Sequence, residues 1–222
     1  MSKNKTYAIL GLGIFGSTIA KQLAKYNYEV IAIDKDIHCV ERLDDTFIQA
    51  VRADFTDIDQ LRSIGVKDCD VAVVASGSRL EESIMAVLNL KELGIPHILA
   101  KAKSRRYMEI LTKIGADQVV RPDKEMGERV AKRLISQNIV DIIDLDDDYN
   151  IIEILAPKKW TGKALRDLDL RAQYGINIIG IRKAIHEPLS ISPLADYVIE
   201  KEDYLLMIAE NAQFDENMEL FE

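Results

Sequence analysis

The sequence predicts an α/β protein with a doubly wound parallel sheet, followed by a small α+β domain. Short apolar segments alternate with helical segments six times within about 120 residues, which is the pattern of a doubly wound sheet. The alternation stops after Asp123, and most of the remaining segments are strands. We therefore expect two domains, at residues 1–137 and 138–222.

The first strand leads directly into three glycines. Residues 7–16 read YAILGLGIFG, an apolar run that opens into Gly11, Gly13 and Gly16. A strand, a glycine turn and a helix in this order form the phosphate-binding turn of a Rossmann unit. Gly11 permits the tight turn, Gly13 lets backbone N–H groups approach a pyrophosphate, and Gly16 lets the helix pack close to its strand. The anion then lies at the positive end of that helix.

A carboxylate follows the second strand. The run EVIAI at residues 29–33 ends at Asp34, eighteen residues after Gly16. A carboxylate at this position accepts hydrogen bonds from a ribose diol and repels a 2′-phosphate. The pattern favours an adenine nucleotide with a free 2′-hydroxyl. The alternative is a structural βαβ turn that binds nothing.

The other elements of the first domain continue the alternation. The run VAVVA at residues 71–75 is typical of a central parallel strand covered on both faces. Glycines at 65, 94 and 115 end helices as C-caps do. The helices are predicted at residues 17–26, 37–43, 57–64, 80–93 and 104–114, and the later strands at 47–52, 71–75, 97–102 and 118–121.

The pattern changes beyond Asp123. Residues 124–137 predict one helix with an apolar stripe, which packs either on another subunit or on its own sheet. The acidic residues 141–150, DIIDLDDDYN, predict a solvated linker at the domain boundary. The second domain is predicted to contain a short helix at 162–167 and strands at 151–156, 176–182, 196–200 and 204–210.

Composition excludes several classes of protein. The formal net charge of −8 and the lack of a basic stripe disfavour a nucleic-acid binder and direct docking on an anionic membrane. Cys39 and Cys69 are the only cysteines and form no CxxC pair, which disfavours a zinc site or a disulfide scaffold. The sequence shows no leader and no long apolar run, so we expect a cytoplasmic protein that works at a membrane only through a partner.

The sequence gives little support for catalysis. A Rossmann oxidoreductase needs an acid or base against the cofactor, and His38, His97 and His186 are all poorly placed for that role. No nucleophile elbow, Walker A sequence or HExxH motif is present. A second domain of about 80 residues is also small for a substrate domain. We therefore expect no enzyme and interpret the nucleotide as a ligand that is sensed.

Several further motifs resemble the Trk/Ktr family of potassium-transport regulators, the RCK proteins. They cover nearly the whole chain, and the IGAD run with the PDKEMG run is the most specific of them. The motifs are GLGIFG at 11–16, ADFT at 53–56, ASG at 75–77, KA at 101–102, KIGAD at 113–117, RPDKEMG at 121–127 and DLRAQYGINI at 169–178.

The resemblance implies a regulatory subunit that forms dimers and assembles into a larger ring, an octamer, beneath a membrane potassium-translocating subunit. It also implies roles for single residues. Asp34 would hold the ribose, Asp54 and Phe55 would flank the adenine, and Ser76 and Lys101 would complete the rim. The phosphates would be cradled by Gly11, Gly13, Ile14, Phe15 and Gly16.

The same resemblance places Asp123 and Glu125 near the nucleotide phosphates and a divalent cation, Mg²⁺ or Ca²⁺. The alternative for these acids is an N-cap and a first-turn acid of the helix at 124–137. Relatives that sense ATP often carry Arg where this chain has Ile14, and a guanidinium there clamps a terminal phosphate. The choice among NAD, NADH, ATP and ADP therefore stays open.

A second ligand is implied for the small domain, where some members of the family bind cyclic di-AMP. The matching segment supplies Arg171 for phosphate and Asn177 as a polar edge. Ile176, Ile178 and Pro193 would form apolar walls, although isoleucines in a strand are also ordinary core residues.

Three functions are therefore compared. The first is a gating subunit of a potassium uptake system, and the second is an NAD(H)-dependent oxidoreductase. The third is a cyclic di-AMP receptor whose N-terminal site is degenerate.

Overall fold

A computed structural model describes residues 5–43, 46–77, 79–135, 138–146 and 148–217. The chain divides into two compact units, Met1–Lys124 and Glu125–Glu222, and each is described by itself. The expected boundary at 137/138 falls beside residues 136 and 137, which lie outside the described ranges, and it stays a prediction. Within the described ranges, no helix is long and apolar enough to cross a membrane.

The first unit is a six-stranded parallel sheet in the order β3-β2-β1-β4-β5-β6. Its strands are β1 (Thr6–Leu10), β2 (Glu29–Asp34), β3 (Ile48–Arg52), β4 (Val71–Val74), β5 (His97–Lys101) and β6 (Gln118–Val120). Its helices are α1 (Ile14–Lys25), α2 (Ile37–Glu41), α3 (Ile58–Ile64), α4 (Leu80–Glu92) and α5 (Arg105–Lys113), with a 3-10 turn at Val66–Asp68.

Apolar residues on both faces of the sheet form its core. In β1, Ala8 and Leu10 join one buried cluster and Ile9 joins another, and all three side chains are fully buried. Successive side chains of a strand point to opposite faces, so helices must cover both faces of this sheet. The predicted doubly wound architecture is confirmed.

Local sequence explains where the helices begin and end. The side chain of Asp57 caps α3 by accepting the N–H groups of Asp59 and Gln60, and Gly65 ends the helix at φ +93°. A left-handed residue at this position favours glycine, which has no Cβ. Helix α1 begins at Ile14, three residues before its predicted start, with Gly13 as its N-cap.

The second unit contains a five-stranded sheet in the order β10-β9-β11-β8-β7, and each neighbouring pair in it is antiparallel. Helix α6 (Pro122–Ile135) leads into it. The strands are β7 (Ile139–Asp144), β8 (Tyr149–Leu155), β9 (Asn177–Arg182), β10 (Ser190–Ile191) and β11 (Tyr204–Glu210). The later helices are α7 (Leu165–Leu168), α8 (Leu170–Tyr174) and α9 (Asn211–Glu216).

Strands β8 and β11 pair at the centre of this sheet. Ile152 lies opposite Met207 and Ile154 opposite Leu205, and all four side chains are fully buried. Buried residues alternate with partly exposed ones along both strands, as expected when one face of a sheet covers a core. This arrangement confirms the predicted small α+β domain.

Two predicted elements of the second domain are wrong. The acidic segment at 141–150 is not a linker, because its first residues belong to strand β7, in which Ile142 is buried. Asp141 and Asp144 form ion pairs with Arg129 and Lys132 of α6, which offset the charges that suggested a solvated segment. Residues 196–200 form one isolated bridge, between Val198 and Ala164, instead of a strand.

Candidate nucleotide-binding site

A cavity of about 600 Å³ lies at the carboxyl ends of the strands of the first unit. The sheet order reverses between β1 and β4, and doubly wound folds bind ligands in the crevice at such a switch point. The predicted residues that line the cavity are Gly11, Gly13, Asp34, Phe55, Ser76, Lys101 and Asp123. None of the three histidines, all of which lie in the described ranges, lines it.

Two glycines of the turn are required by close packing. Gly11 has φ +95°, and a Cβ there would lie 2.9 Å from the backbone nitrogen of Ser76. A Cβ on Gly16 would lie 2.0 Å from the carbonyl oxygen of Gly11. Any side chain at Gly16 would therefore push α1 away from the glycine turn.

Gly13 differs from its two neighbours because a Cβ there would meet nothing within 4 Å. It is the N-cap of α1, with no side-chain cap among the described residues. The first N–H groups of a helix have no partner within the helix, so they are available to an anion. The open space beside Gly13 would let a phosphate approach the backbone there, which is the role predicted for this glycine.

Asp34 fixes the turn from the end of β2. Its Oδ2 accepts the backbone N–H of Leu12 at 2.6 Å, and its Oδ1 accepts the N–H of Asp36 at 2.9 Å. Each carboxylate oxygen has two acceptor positions, so this arrangement leaves capacity for a ribose diol. The carboxylate therefore has a structural function beside the predicted one.

The two residues after Gly13 have different environments. The side chain of Ile14 is 90% exposed, whereas Phe15 is partly buried and packs on the core. The ammonium of Lys101 lies 5.6 Å from the centre of the Phe15 ring and 3.0 Å from Oδ2 of Asp123. The Lys101 side chain is 18% exposed, whereas that of Lys35, another cavity lysine, is 42% exposed.

The segment after β3 supplies an apolar wall. Phe55 is buried and lines the cavity. Oδ1 of Asp54 accepts both the backbone N–H and the hydroxyl of Thr56, at 2.8 and 2.6 Å. Burial acts to raise the pKa of Asp54, but hydrogen bonds from Thr56 and Lys35 outweigh it and hold that pKa below its ordinary value.

Lys35 and Glu82 were not predicted from the sequence, yet both line the cavity. The Lys35 ammonium lies 3.3 Å from Asp54 Oδ2, 3.3 Å from Glu82 Oε1 and 5.7 Å from the centre of the Phe55 ring. Burial acts to lower the pKa of Lys35, but Glu82 and Asp54 outweigh it and raise that pKa. Lys35 directly follows β2 and Glu82 lies in the helix after β4, so their positions beyond the carboxyl ends of these strands are the signal that would have found them.

Other cavity residues were also absent from the prediction: Asp36, Cys39, Ala75, Gly77 and Lys103. Cys39 is a partly buried free thiol that receives a hydrogen bond from Arg42 at 3.0 Å. Cys69 is buried in the core, and burial raises the pKa of its thiol to about 12.

The two acids predicted to hold a cation belong to different units. Asp123 lines the cavity, and Glu125 begins the second unit. Within the described ranges, no group of three or more His, Cys, Asp or Glu side chains is arranged to hold a metal ion. A cation at this position would need further oxygens, which the phosphates of a nucleotide supply.

The predicted cyclic di-AMP residues are only partly brought together. Arg171, Ile176, Asn177 and Ile178 line one cavity of about 250 Å³ in the second unit, together with Arg166. Pro193 lines a separate cavity of about 390 Å³. Ile176 is also buried in the core of this unit, so it is a core residue whether or not a ligand binds beside it.

Comparison with known proteins identifies both halves of the chain. Residues 7–122 match the TrkA-N domain and residues 149–222 match the TrkA-C domain. The chain is 39% identical over 204 residues to the Ktr system potassium uptake protein C of Bacillus subtilis (strain 168). That match covers 92% of this chain and 91% of the relative.

Two solved structures show the same fold at 18% identity. The GsuK RCK domain matches 99% of this chain with a TM-score of 0.67, and the GsuK channel bound to NAD matches 100% with a TM-score of 0.66. The chain spans 48% and 40% of those two proteins. By both domain matches and by its Ktr relative, the chain belongs to the Trk/Ktr family, which confirms the resemblance found in its sequence.

Proposed function

We propose that this chain is the cytoplasmic regulatory subunit of a potassium uptake system and that an adenine nucleotide in its first unit controls the subunit. One observation carries the proposal. A chain that is 39% identical to a Ktr potassium uptake protein over nine-tenths of its length keeps a cavity of about 600 Å³ at its switch point. The membrane partner would hold the subunit at the cytoplasmic face of the plasma membrane.

The cavity suits an adenine nucleotide in three respects. Gly13 leaves the first turn of α1 open to phosphates, and the Asp34 carboxylate stands where a ribose diol binds. Phe55 offers a buried aromatic wall for a base. The nucleotide is NAD, NADH, ATP or ADP, and a GsuK channel bound to NAD shares the fold.

Ile14 and Lys101 bear on how phosphates are held. Ile14 brings no charge to the first turn of α1, and Lys101 is paired with Asp123. An incoming phosphate would compete with Asp123 for Lys101. Asp123 and Glu125 stay the proposed acids for a divalent cation, Mg²⁺ or Ca²⁺, and a cation beside Asp123 would relieve the repulsion between that acid and a phosphate.

Nucleotide binding alone does not gate a transporter. A ligand shifts a conformational equilibrium only by its difference in affinity for the two states, and typical couplings are about 1–3 kcal/mol. In the proposed assembly, dimers form a ring, an octamer, under the membrane potassium-translocating subunit. The exposed apolar side chains of Met126, Val130 and Leu134 on α6 support a contact between subunits.

The second unit offers a separate site, which we assign to cyclic di-AMP. Arg171 and Arg166 bring two guanidinium groups to the 250 Å³ cavity, and guanidinium groups suit phosphate oxygens. Asn177 supplies a polar edge, and Ile178 supplies an apolar wall. Pro193 would contribute only if the ligand extends beyond this cavity.

Deletion of the gene tests the proposed function. The deletion strain should grow poorly at limiting potassium, and the wild-type gene should restore growth. The purified chain should bind nucleotide without turning it over. Normal growth of the deletion strain, together with oxidation of NADH by a small carbonyl compound, would establish the oxidoreductase alternative.

A further inference from the structure

Lys35 joins three segments that close one end of the nucleotide cavity. It follows β2 directly, and its ammonium reaches Asp54 after β3 and Glu82 in the first turn of α4, each at 3.3 Å. The same ammonium lies 5.7 Å from the centre of the Phe55 ring. The aromatic wall, a cation and two carboxylates therefore meet at one place.

Asp54 lies on the side of Asp34 away from the glycine turn, because β3 is on the opposite side of β2 from β1, and the Lys35 ammonium brings Glu82 of α4 to the same place. Phosphates at the first turn of α1 and a ribose at Asp34 direct the base toward Phe55. The base end of the cavity is thus the end that Lys35 closes.

Glu82 is held in position by cations on one of its oxygens. Lys35 and Arg79 both approach Oε1, at 3.3 and 3.5 Å, and the Glu82 side chain is 22% exposed. A carboxylate has acceptor positions on both oxygens, so Glu82 remains able to accept further hydrogen bonds. It has no proton to donate when ionised.

We propose that Glu82, positioned by Lys35, selects a 6-aminopurine over a 6-oxopurine at this site. The exocyclic amine of adenine donates hydrogen bonds that a carboxylate accepts. A 6-oxopurine instead presents a carbonyl oxygen, which a carboxylate repels, so the wrong base is rejected by an unfavourable contact. This inference rests on the proposed nucleotide function and assigns base selection to a named residue.

Calorimetric titration of the full chain with ADP and IDP tests the proposal, since the two nucleotides differ at purine position 6. Wild type should bind ADP at least tenfold more tightly than IDP. Glu82→Gln should reduce that ratio below threefold, because an amide both donates and accepts. Glu81→Gln, with the same change of charge at the exposed neighbouring position, should keep the wild-type ratio.

Lys35→Met supplies a second variant, which keeps Glu82 but removes the cation that positions it, and it should also lower the ratio. The proposal is overturned if wild type binds both nucleotides equally, or if Glu82→Gln keeps the wild-type ratio while ADP still binds. If folded wild type binds none of ADP, ATP, NAD and NADH, the proposed function fails as well, so the two failures are distinct.

Discussion

The backbone N–H of Leu12 donates to Oδ2 of Asp34 at 2.6 Å. This bond ties the glycine turn after β1 to the end of β2, so the carboxylate that shapes the turn is the one that would bind the ribose of the proposed nucleotide. We therefore expect stability and nucleotide affinity to be linked through Asp34.

Replacement of Asp34 should affect both properties. Asp34→Ala removes the acceptor of two backbone N–H groups, and we expect a loss of about 1–3 kcal/mol in unfolding free energy together with weaker nucleotide binding. Denaturant unfolding and calorimetry measure the two effects. Asp57→Ala is the matched control, because that carboxylate also accepts two backbone N–H groups but caps α3 outside the cavity. The control should lose about 1 kcal/mol and keep its affinity, and wild-type stability in Asp34→Ala would contradict the linkage.

Gly16→Ala should be severely destabilising. The new Cβ would lie 2.0 Å from the carbonyl oxygen of Gly11, which is backbone and cannot rotate away. We expect a loss of about 3 kcal/mol or more by denaturant unfolding. Gly13→Ala, where a Cβ meets nothing within 4 Å, should cost less than about 1 kcal/mol. Equal stabilities of the two variants would argue against this packing.

The ion pair between Arg129 and Asp141 should make the stability of the second unit depend on pH. The hydrogen bond from Arg129 lowers the pKa of Asp141 and outweighs burial, which acts to raise it. A carboxyl with a lowered folded pKa stabilises above its unfolded pKa of about 3.9 and loses that contribution as pH falls through the folded value. The difference in unfolding free energy between wild type and Asp141→Asn should therefore have its largest value at pH 6 and decrease below about pH 4.

Arg129→Gln provides the complementary variant, because it removes the partner that lowers the Asp141 pKa. Its stability deficit should follow the same pH profile in denaturant unfolding. A deficit that is constant from pH 3 to pH 7 in both variants would show that the pair contributes nothing through ionisation.

Arg171→Ala should weaken cyclic di-AMP binding at least tenfold, because it removes one of two guanidinium groups from the 250 Å³ cavity. Gly13→Asp, in the other unit, should leave that affinity unchanged. Calorimetry with cyclic di-AMP makes the comparison. The opposite pattern would place the cyclic dinucleotide in the first unit and reject the assignment.

Local patterns were sufficient to predict the sheet of the first unit. Its strands are short apolar runs that the sequence shows directly. Gly65 ends α3 because its left-handed backbone favours glycine, which is also a local property. The second unit was harder, because β7 carries acids whose charges are offset by Arg129 and Lys132 of α6. The two residues of each ion pair are twelve positions apart and lie on different elements, so the hydrophobic periodicity of one element cannot reveal them.

In the candidate site, too, some residues could be predicted from local sequence and others only from the fold. Gly11 and Asp34 follow from motif spacing and Phe55 from the family resemblance, and all three line the cavity. Lys35 and Glu82 belong to no motif, and only the parallel order of β2, β1 and β4 brings their side chains within 3.3 Å. The predicted roles of individual residues toward a nucleotide stay predictions until binding is measured.

Nucleotide binding by Gly13 variants tests the central claim most directly. Aspartate is a good N-cap residue, and the space beside Gly13 is open, so Gly13→Asp should melt no lower than wild type while its carboxylate repels a phosphate. In titrations with ADP, ATP, NAD and NADH, wild type and Gly13→Ala should bind at least one nucleotide, and Gly13→Asp should bind it at least tenfold more weakly. Equal affinity in all three proteins would contradict a phosphate site at the glycine turn.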